Sequence, residues 1–271
     1  MKRVLITGAA SGLGLALAKY YAQQGWAVCI ADIQDEAGEK IAQELAQKHG
    51  SDCFFQHLNV TDDNQWLALQ NEIATRWKGV DAVINNAGVA SSGDIDALEL
   101  KDFQWTVDIN LMGVVKGCHY FTPLLKKSRG NLVNVASMAG LLHISGMSAY
   151  NASKAAVVAL SETLYAELDP HGVKVSVLCP AFFKTNLTDT MRSTNASGTA
   201  IANKLMNKSS ITADDIAEKV FNDSSAGKLM ILTHKNEKIF WLVKRYLPSL
   251  YFKIMKNTAK KFNAKITEKQ A

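Results

Sequence analysis

A serine, a tyrosine and a lysine stand in this chain at the spacing a proton-transfer site needs. Tyr150 and Lys154 lie four residues apart in a run that reads as helical, Tyr150-Asn151-Ala152-Ser153-Lys154. Positions i and i+4 share a helix face, so the Lys154 ammonium can stand near the Tyr150 phenol. A nearby positive charge favours the phenolate and lowers a phenol pKa that starts near ~10. A phenol tuned in that way can move a proton near neutral pH. Ser137 lies thirteen residues before Tyr150, at the end of an apolar run over 132–136, and its hydroxyl can donate to the same oxygen. Taken alone, Tyr-x-x-x-Lys is as readily a chance spacing on a half-exposed helix, so the weight falls on the elements that surround it.

Those elements alternate. Val4, Leu5 and Ile6 form a short apolar run that passes into Thr7, Gly8, Ala9, Ala10, Ser11, Gly12, Leu13 and Gly14. Apolar residues at helical spacing follow until Gly25. In this strand, turn and helix, Gly8 permits the tight turn, Gly12 lets a phosphate approach the backbone and Gly14 allows close helix–strand packing. The free N–H groups and dipole of the new helix attract a pyrophosphate. A second strand over 27–31 ends at Asp32, where a carboxylate can accept from ribose hydroxyls and would repel a 2′-phosphate. No Arg or Lys follows it at once, so NAD is favoured over NADP; capping of the next helix is the plainer role for the acid. A third strand ends near Asn59 and Val60, with Thr61 and Asp62 as helix caps, and a fourth over 81–84 runs into Asn85, Asn86, Ala87 and Gly88. Strands separated by helical segments imply βαβ units and a parallel sheet, with ligands bound beyond the carboxyl ends of the strands. Asp32, Asn59, Asn86, Ser137 and Pro180 all fall at such ends. Residues 99–127 read as one long helix, in which Asn110 is a polar residue among Ile109, Leu111 and Met112. A buried Asn needs partners, for catalysis through water or to tie down a bend.

The 271 residues, 48% hydrophobic and 20% charged, fit one soluble α/β domain, with no apolar run long enough for a spanning helix. Lys2 and Arg3 before three apolar residues are too brief a start for a signal segment and read as the first strand. Cys29, Cys53, Cys118 and Cys179 are scattered, with no C-x-x-C pair, which points to inert thiols in a reducing compartment rather than disulfides or a metal site. The net charge of +5 is carried by the tail: from Lys235 on there are ten Lys/Arg against two acids, leaving the rest at −3.

Together these residues resemble the short-chain dehydrogenase/reductase family. The matching motifs are T-G-x-x-x-G-x-G at Thr7 to Gly14, N-N-A-G at Asn85 to Gly88, and the set Asn110, Ser137, Tyr150 and Lys154. Pro180-Ala181-Phe182-Phe183-Lys184-Thr185 stands where the family usually has P-G-x-V-x-T, so Ala181 and Phe183 are departures. Asn59 stands where Asp is common, and its amide oxygen can still accept from an adenine amino group. The resemblance covers about residues 1–234 and implies an α/β fold. The expected architecture is a Rossmann-like, doubly wound parallel sheet of about seven strands in a single domain, with a C-terminal helical extension over 235–271. It implies hydride transfer between a nicotinamide and an alcohol/carbonyl pair. Tyr150 would act as acid and base, Ser137 would polarise the substrate oxygen, and Lys154 would lower the Tyr150 pKa and bind the nicotinamide ribose. Asn110 would hold a water linking Lys154 to solvent. Gly8, Ser11, Gly12, Leu13, Gly14, Asp32, Asn59, Val60, Asn86, Ala87, Gly88, Pro180, Phe183 and Thr185 would hold the cofactor with Tyr150 and Lys154. No metal is implied. A homodimer or homotetramer in the cytoplasm is expected.

On the substrate side, the mixed segment 186–210 would form a lid. Leu141, Met147 and Phe182 would line the mouth with Ser137 and Tyr150. Such a lining suits a lipophilic alcohol or ketone, although core packing accounts for the same residues. In the tail, aromatics interleaved with lysines suit peripheral contact with an anionic membrane or packing on the chain's own domain or a partner subunit. Nucleic-acid binding is disfavoured, since no reading motif accompanies the basic stretch. An NADP-dependent carbonyl reductase and a non-catalytic cofactor-sensing protein on the same fold are the competing readings.

Overall fold

The computed structural model describes residues 1–185, 187–194, 206 and 208–270, without the side chains of Lys235, Glu237 and 261–270. The chain opens with β1 (Arg3–Thr7), α1 (Gly12–Gln23), β2 (Ala27–Asp32), α2 (Asp35–His49), β3 (Phe54–His57), α3 (Asp63–Trp77) and β4 (Ala82–Asn85). After a two-residue β5 (Ser91–Ser92) come α4 (Leu100–Val107), α5 (Gly113–Ser128), β6 (Asn131–Val135), α6 (Ser148–Leu168) and β7 (Lys174–Cys179). A short β8 (Arg192–Ser193), α7 (Ala213–Ser225), β9 (Met230–Leu232), α8 (Lys235–Tyr246) and α9 (Pro248–Gln270) complete the strands and α-helices among the described residues.

Seven strands form one sheet in the order β3-β2-β1-β4-β6-β7-β9, every neighbouring pair parallel. Parallel sheets are covered on both faces, so their strands are apolar on both. The period of two then divides each strand between two cores. Leu5, Cys29, Val83, Leu132 and Val177 join one cluster with residues of α3, α5 and α6. Ile6, Ile30, Ile84, Val133 and Leu178 join the other, with residues of α1, α2 and α7. The expected doubly wound α/β architecture is therefore what the chain adopts. Strand order reverses between β1 and β4, which opens a crevice at their carboxyl ends.

Helix α3 starts as expected: the Asp62 carboxylate accepts from the N–H groups of Asn64 and Gln65. The expected single helix over 99–127 is instead interrupted. Residues Asp108–Met112 form a π-helical turn between α4 and α5. A π-turn keeps helical backbone angles while inserting a residue, so apolar spacing barely registers it. Its mark in the sequence is the fully buried Asn110.

Beneath the carboxyl ends lies a buried polar chain. Asn85 Nδ2 donates to Asn134 Oδ1 at 2.9 Å, and Asn134 Nδ2 donates to Ser161 Oγ at 3.1 Å. It ties β4 to β6 and β6 to α6, the helix that carries Tyr150 and Lys154.

Candidate active site

Tyr150 and Lys154 fall in the first two turns of α6 and are 8% and 3% exposed, so both polar ends are withdrawn from bulk water. Ser137 follows β6 and is hydrogen-bonded to the Tyr150 phenol. Its own position is set by the Ala139 N–H, which donates to Ser137 Oγ at 3.1 Å. The Lys154 ammonium donates to the Val135 carbonyl at 2.9 Å and stands 5.9 Å from the centre of the Tyr150 ring. The three residues singled out by spacing are thus brought together.

Their electrostatics differ from expectation in one respect. Burial holds the Tyr150 pKa above its ordinary value, and the hydrogen bond with Ser137 lowers it only in part. Burial also pulls Lys154 down to about 8, with the Cys179 thiol acting weakly the other way. The expected lowering of the phenol by Lys154 is not what the folded chain displays. The ammonium points to the Val135 carbonyl, and desolvation of the phenol is the larger effect. In this fold the phenol is held as an acid.

Asn110 is engaged on both sides of its amide. Its Oδ1 accepts from Val89 N at 2.8 Å, and its Nδ2 donates to Val89 O at 2.9 Å. The side chain clamps the π-turn to the segment after β4. A Cβ placed on Gly88 would come within 3.1 Å of Asn110 Oδ1 and 3.3 Å of Lys154 Nζ. Glycine lets the backbone pack this closely against both groups.

The glycine loop forms the other end of the crevice. Gly8 and Gly12 take φ of +64° and +52°, the left-handed region that favours glycine. A Cβ at Gly12 would meet nothing nearer than Thr185, at 4.0 Å, so the loop backbone is open to a ligand there and Thr185 faces it. Ser11 caps α1 through its backbone only, and no acid occupies the first turn, which leaves the N-terminal N–H groups for an anion. Gly14 packs against the Gly8 carbonyl and the Asn86 amide so closely that a Cβ would collide with both. Gly14→Ala should therefore cost about 1–3 kcal/mol of stability by overpacking, read as a lower denaturant midpoint, with NADH binding weakened in parallel.

The remaining predicted cofactor residues divide into two groups. Asp32 is 6% exposed; its Oδ2 accepts from Ala10 N at 2.9 Å and its Oδ1 from Gln34 N at 3.1 Å. It braces the glycine loop from the end of β2, and Gln34 rather than Asp32 is the cap of α2. Asn86 serves the loop in the same way, donating to the carbonyls of Thr7 and Gly8, while Thr7 Oγ1 accepts from Asn86 N and Ala87 N. Asn59 departs from expectation: its Oδ1 accepts from both the N–H and the hydroxyl of Thr61, at 3.0 and 2.8 Å. The acceptor expected to face adenine is spent on a local turn. Val60 is buried against Gly113, and Leu13 and Phe183 lie in the core cluster beside α1. The Pro180 carbonyl accepts from Met138 N at 2.9 Å, which places this strand end beside Ser137.

On the substrate side Tyr150 forms a small apolar cluster of its own with Ala90 and Ala139, against which Met147, Leu187 and Met191 pack. Met147 was legible in the sequence, and Leu187 and Met191 were legible as part of the lid; Ala90 and Ala139 carried no signal. Leu141 is instead buried in the main core, and Phe182 is half-buried. Of the lid, Asn186, residues 195–205 and residue 207 lie outside the described residues, Ile201 and Leu205 among them. The described part is fastened by β8, which pairs with β5, and by Arg192, whose guanidinium bonds Asp102 at 2.7 Å over the Trp105 ring.

The tail also reaches this region. Lys244 of α8 donates to the Leu141 carbonyl at 2.5 Å and lies 3.3 Å from His143 Nδ1. Trp241 packs on the main core, and Tyr251 of α9 is buried beside the His143 backbone. Packing on the chain's own domain is thus one role of the tail. Among the described residues no helix is long and apolar enough to cross a membrane, and no group of His, Cys, Asp and Glu could hold a metal.

Comparison with known proteins finds relatives over most of the chain. Residues 2–196 match the family model described as short chain dehydrogenase. A 3-alpha-(or 20-beta)-hydroxysteroid dehydrogenase of Mycobacterium bovis is 33% identical over 189 residues, 69% of this chain and 71% of the relative. A meso-2,3-butanediol dehydrogenase of Serratia marcescens is 33% identical over 188 residues, 69% of this chain and 74% of the relative. Among solved structures, a short-chain dehydrogenase/reductase from Burkholderia phymatum in complex with NAD superposes with a TM-score of 0.86 at 30% identity, covering 92% of this chain and 94% of that one.

Proposed function

The chain belongs to the short-chain dehydrogenase/reductase family, and from that premise we propose an NAD-dependent enzyme that interconverts a lipophilic secondary alcohol and its ketone. The coarser activity is the family's: oxidoreduction between hydroxyl and carbonyl groups with a nicotinamide cofactor. The observation that carries the finer reading is the buried cluster of Ser137, Tyr150 and Lys154, with an apolar wall on one side and the open Gly12 backbone on the other.

When bound, the nicotinamide supplies or accepts the hydride. The glycine loop, the α1 N-terminus and Asp32 would hold its adenosine and pyrophosphate end, and Lys154 and Thr185 its nicotinamide ribose. Tyr150 gives its phenolic proton to the carbonyl oxygen in reduction and takes one back from the alcohol in oxidation. Ser137 orients that oxygen and stabilises the charge developing on it. Lys154 fixes the ribose and offers a positive charge to the phenolate once the proton has left. Asn110 positions the helix that faces them. Exclusion of water by Ala90, Ala139, Met147, Leu187 and Met191 favours an apolar substrate, and the kinship with an enzyme named for hydroxysteroids supports that choice.

The carboxylate of Asp32 supports NAD over NADP, because a 2′-phosphate there would meet a like charge. Fluorescence titration should give NADH a Kd at least about tenfold below that of NADPH, and Asp32→Ala should narrow the gap to within about threefold. Tighter binding of NADPH by the unaltered protein would refute the assignment. The domain proposed for residues 1–234 and the helical extension over 235–271 go with this reading, as does a homodimer or homotetramer paired through α5 and α6. Met112 and Tyr165, near or on those helices, are exposed. Four unpaired thiols support a reducing, cytoplasmic setting.

A further inference from the structure

Helix α8 is unusual for a surface helix in having an apolar outer side. Trp241 and Lys244 face the domain, while Ile239 and Tyr246, on the opposite side by helical spacing, are 59% and 72% exposed. Past the bend at Leu247, 55% exposed, the outward side of α9 is basic with apolar flanks. Tyr251 is turned inward, and Lys253, Lys256 and Lys260 follow one another at i, i+3 and i+7 on the side away from it. Phe252 and Leu250, 51% and 48% exposed, flank that lysine row on either side. Ten basic residues against two acids run from Lys235 onward, on a chain whose remainder is acidic.

We propose that the outer face of the α8–α9 pair docks on an anionic lipid surface. Apolar and aromatic side chains would enter the boundary between headgroups and acyl chains, and the lysine stems would run along it with their ammonium groups at the phosphates. Charge complementarity selects this occupant. A second copy of the chain would set the same strongly basic face against itself, since a two-fold interface brings identical patches together. A nucleic acid would engage the lysines and leave the apolar side chains exposed. The inner side of the same helices holds the loop between Ser137 and Tyr150 through Lys244 and Tyr251, so the docked face and the substrate mouth share one end of the molecule. A lipid-dissolved alcohol or ketone would then enter from the surface on which the protein sits. This use rests on the lipophilic-substrate reading; the docking itself does not.

The test is co-sedimentation of the full chain with vesicles of phosphatidylcholine alone and of phosphatidylcholine with about one third phosphatidylglycerol, at low and high salt. The wild type should favour the anionic vesicles by at least about tenfold, an advantage that high salt removes. The double variant Ile239→Ser/Phe252→Ser and the triple variant Lys253→Glu/Lys256→Glu/Lys260→Glu should each lower partitioning by about tenfold or more. Both should keep the wild-type thermal midpoint and Kd for NADH. Equal partition on both lipids, or partition untouched by either variant, overturns the proposal. So does tighter retention on duplex DNA than on vesicles, or a doubled mass in solution that the double variant alone abolishes. Loss of NADH binding by the wild type would instead refute the cofactor reading and leave the vesicle result to stand by itself.

Discussion

Replacing Tyr150 with Phe should lower turnover by about 10²–10⁴-fold, the span general acid–base catalysis contributes, while the Kd for NADH stays within about twofold. The substitution removes one oxygen from a buried ring and leaves the apolar cluster of Ala90, Ala139 and Met147 in place. Stability should therefore change little, because the hydrogen bond lost with Ser137 is offset by one fewer desolvated hydroxyl. The pH dependence has a definite direction. Since burial holds the phenol above its usual pKa, the proton donor for carbonyl reduction persists into the alkaline range, and alcohol oxidation gains as pH rises toward the phenol's titration. Single-turnover measurements with NADH and a ketone, alongside a fluorescence titration, separate the two effects. If Tyr150→Phe kept most of its turnover, the proton would have to come from elsewhere.

Lys154→Met should act on activity and stability in opposite senses. Turnover falls by at least about a hundredfold, as for loss of one preorganised charge at a reacting centre. The fold, however, becomes more stable near neutral pH. In the folded chain Lys154 titrates at about 8, against 10.5 for the free side chain. Between these values the unfolded chain binds more protons, so wild-type stability rises with pH across the window, and below it the whole cost of the buried charge is present. That cost is roughly 3 kcal/mol, less about 1 kcal/mol for the hydrogen bond to Val135. The variant should then gain about 2 kcal/mol near pH 7, a rise in Tm of roughly 4–8 °C for a chain of this size, and lose the advantage above about pH 10.5. Thermal melts at both ends of that range provide the check. A destabilised variant near neutral pH would mean that the ammonium is a structural asset.

The parts of this molecule visible in the sequence are those written at short range. A glycine turn between a strand and a helix, an acid closing β2, and a tyrosine and lysine one helical turn apart are local patterns. The sheet's topology then follows from the alternation of strand and helix. What escaped is short or distant. Strands β5 and β8 have two residues each, too few for any period to register. The π-turn at Asn110 differs from an α-turn by a single inserted residue. The contact of Lys244 with Leu141 spans 103 positions. Proximity on a helix face predicts a lowered Tyr150 pKa but carries no measure of burial, and burial, the larger effect here, raises it. Asn59 stood at the expected strand end, yet a short amide beside Thr61 closes a turn on itself.

The strand order also bears on how the chain comes into being during synthesis. Strands β1, β2 and β3 lie within the first 57 residues and pair only with one another until β4 arrives. The half that carries the glycine loop and Asp32 can thus leave the ribosome and begin to assemble while α6 is still unmade. The proton-transferring half must wait for β6, β7 and finally β9, whose pairing with β7 closes the far edge of the sheet after residue 230. A chain arrested midway would hold the nucleotide half without Tyr150 and Lys154, and its β4, seated on β1, would still lack β6 on its other edge.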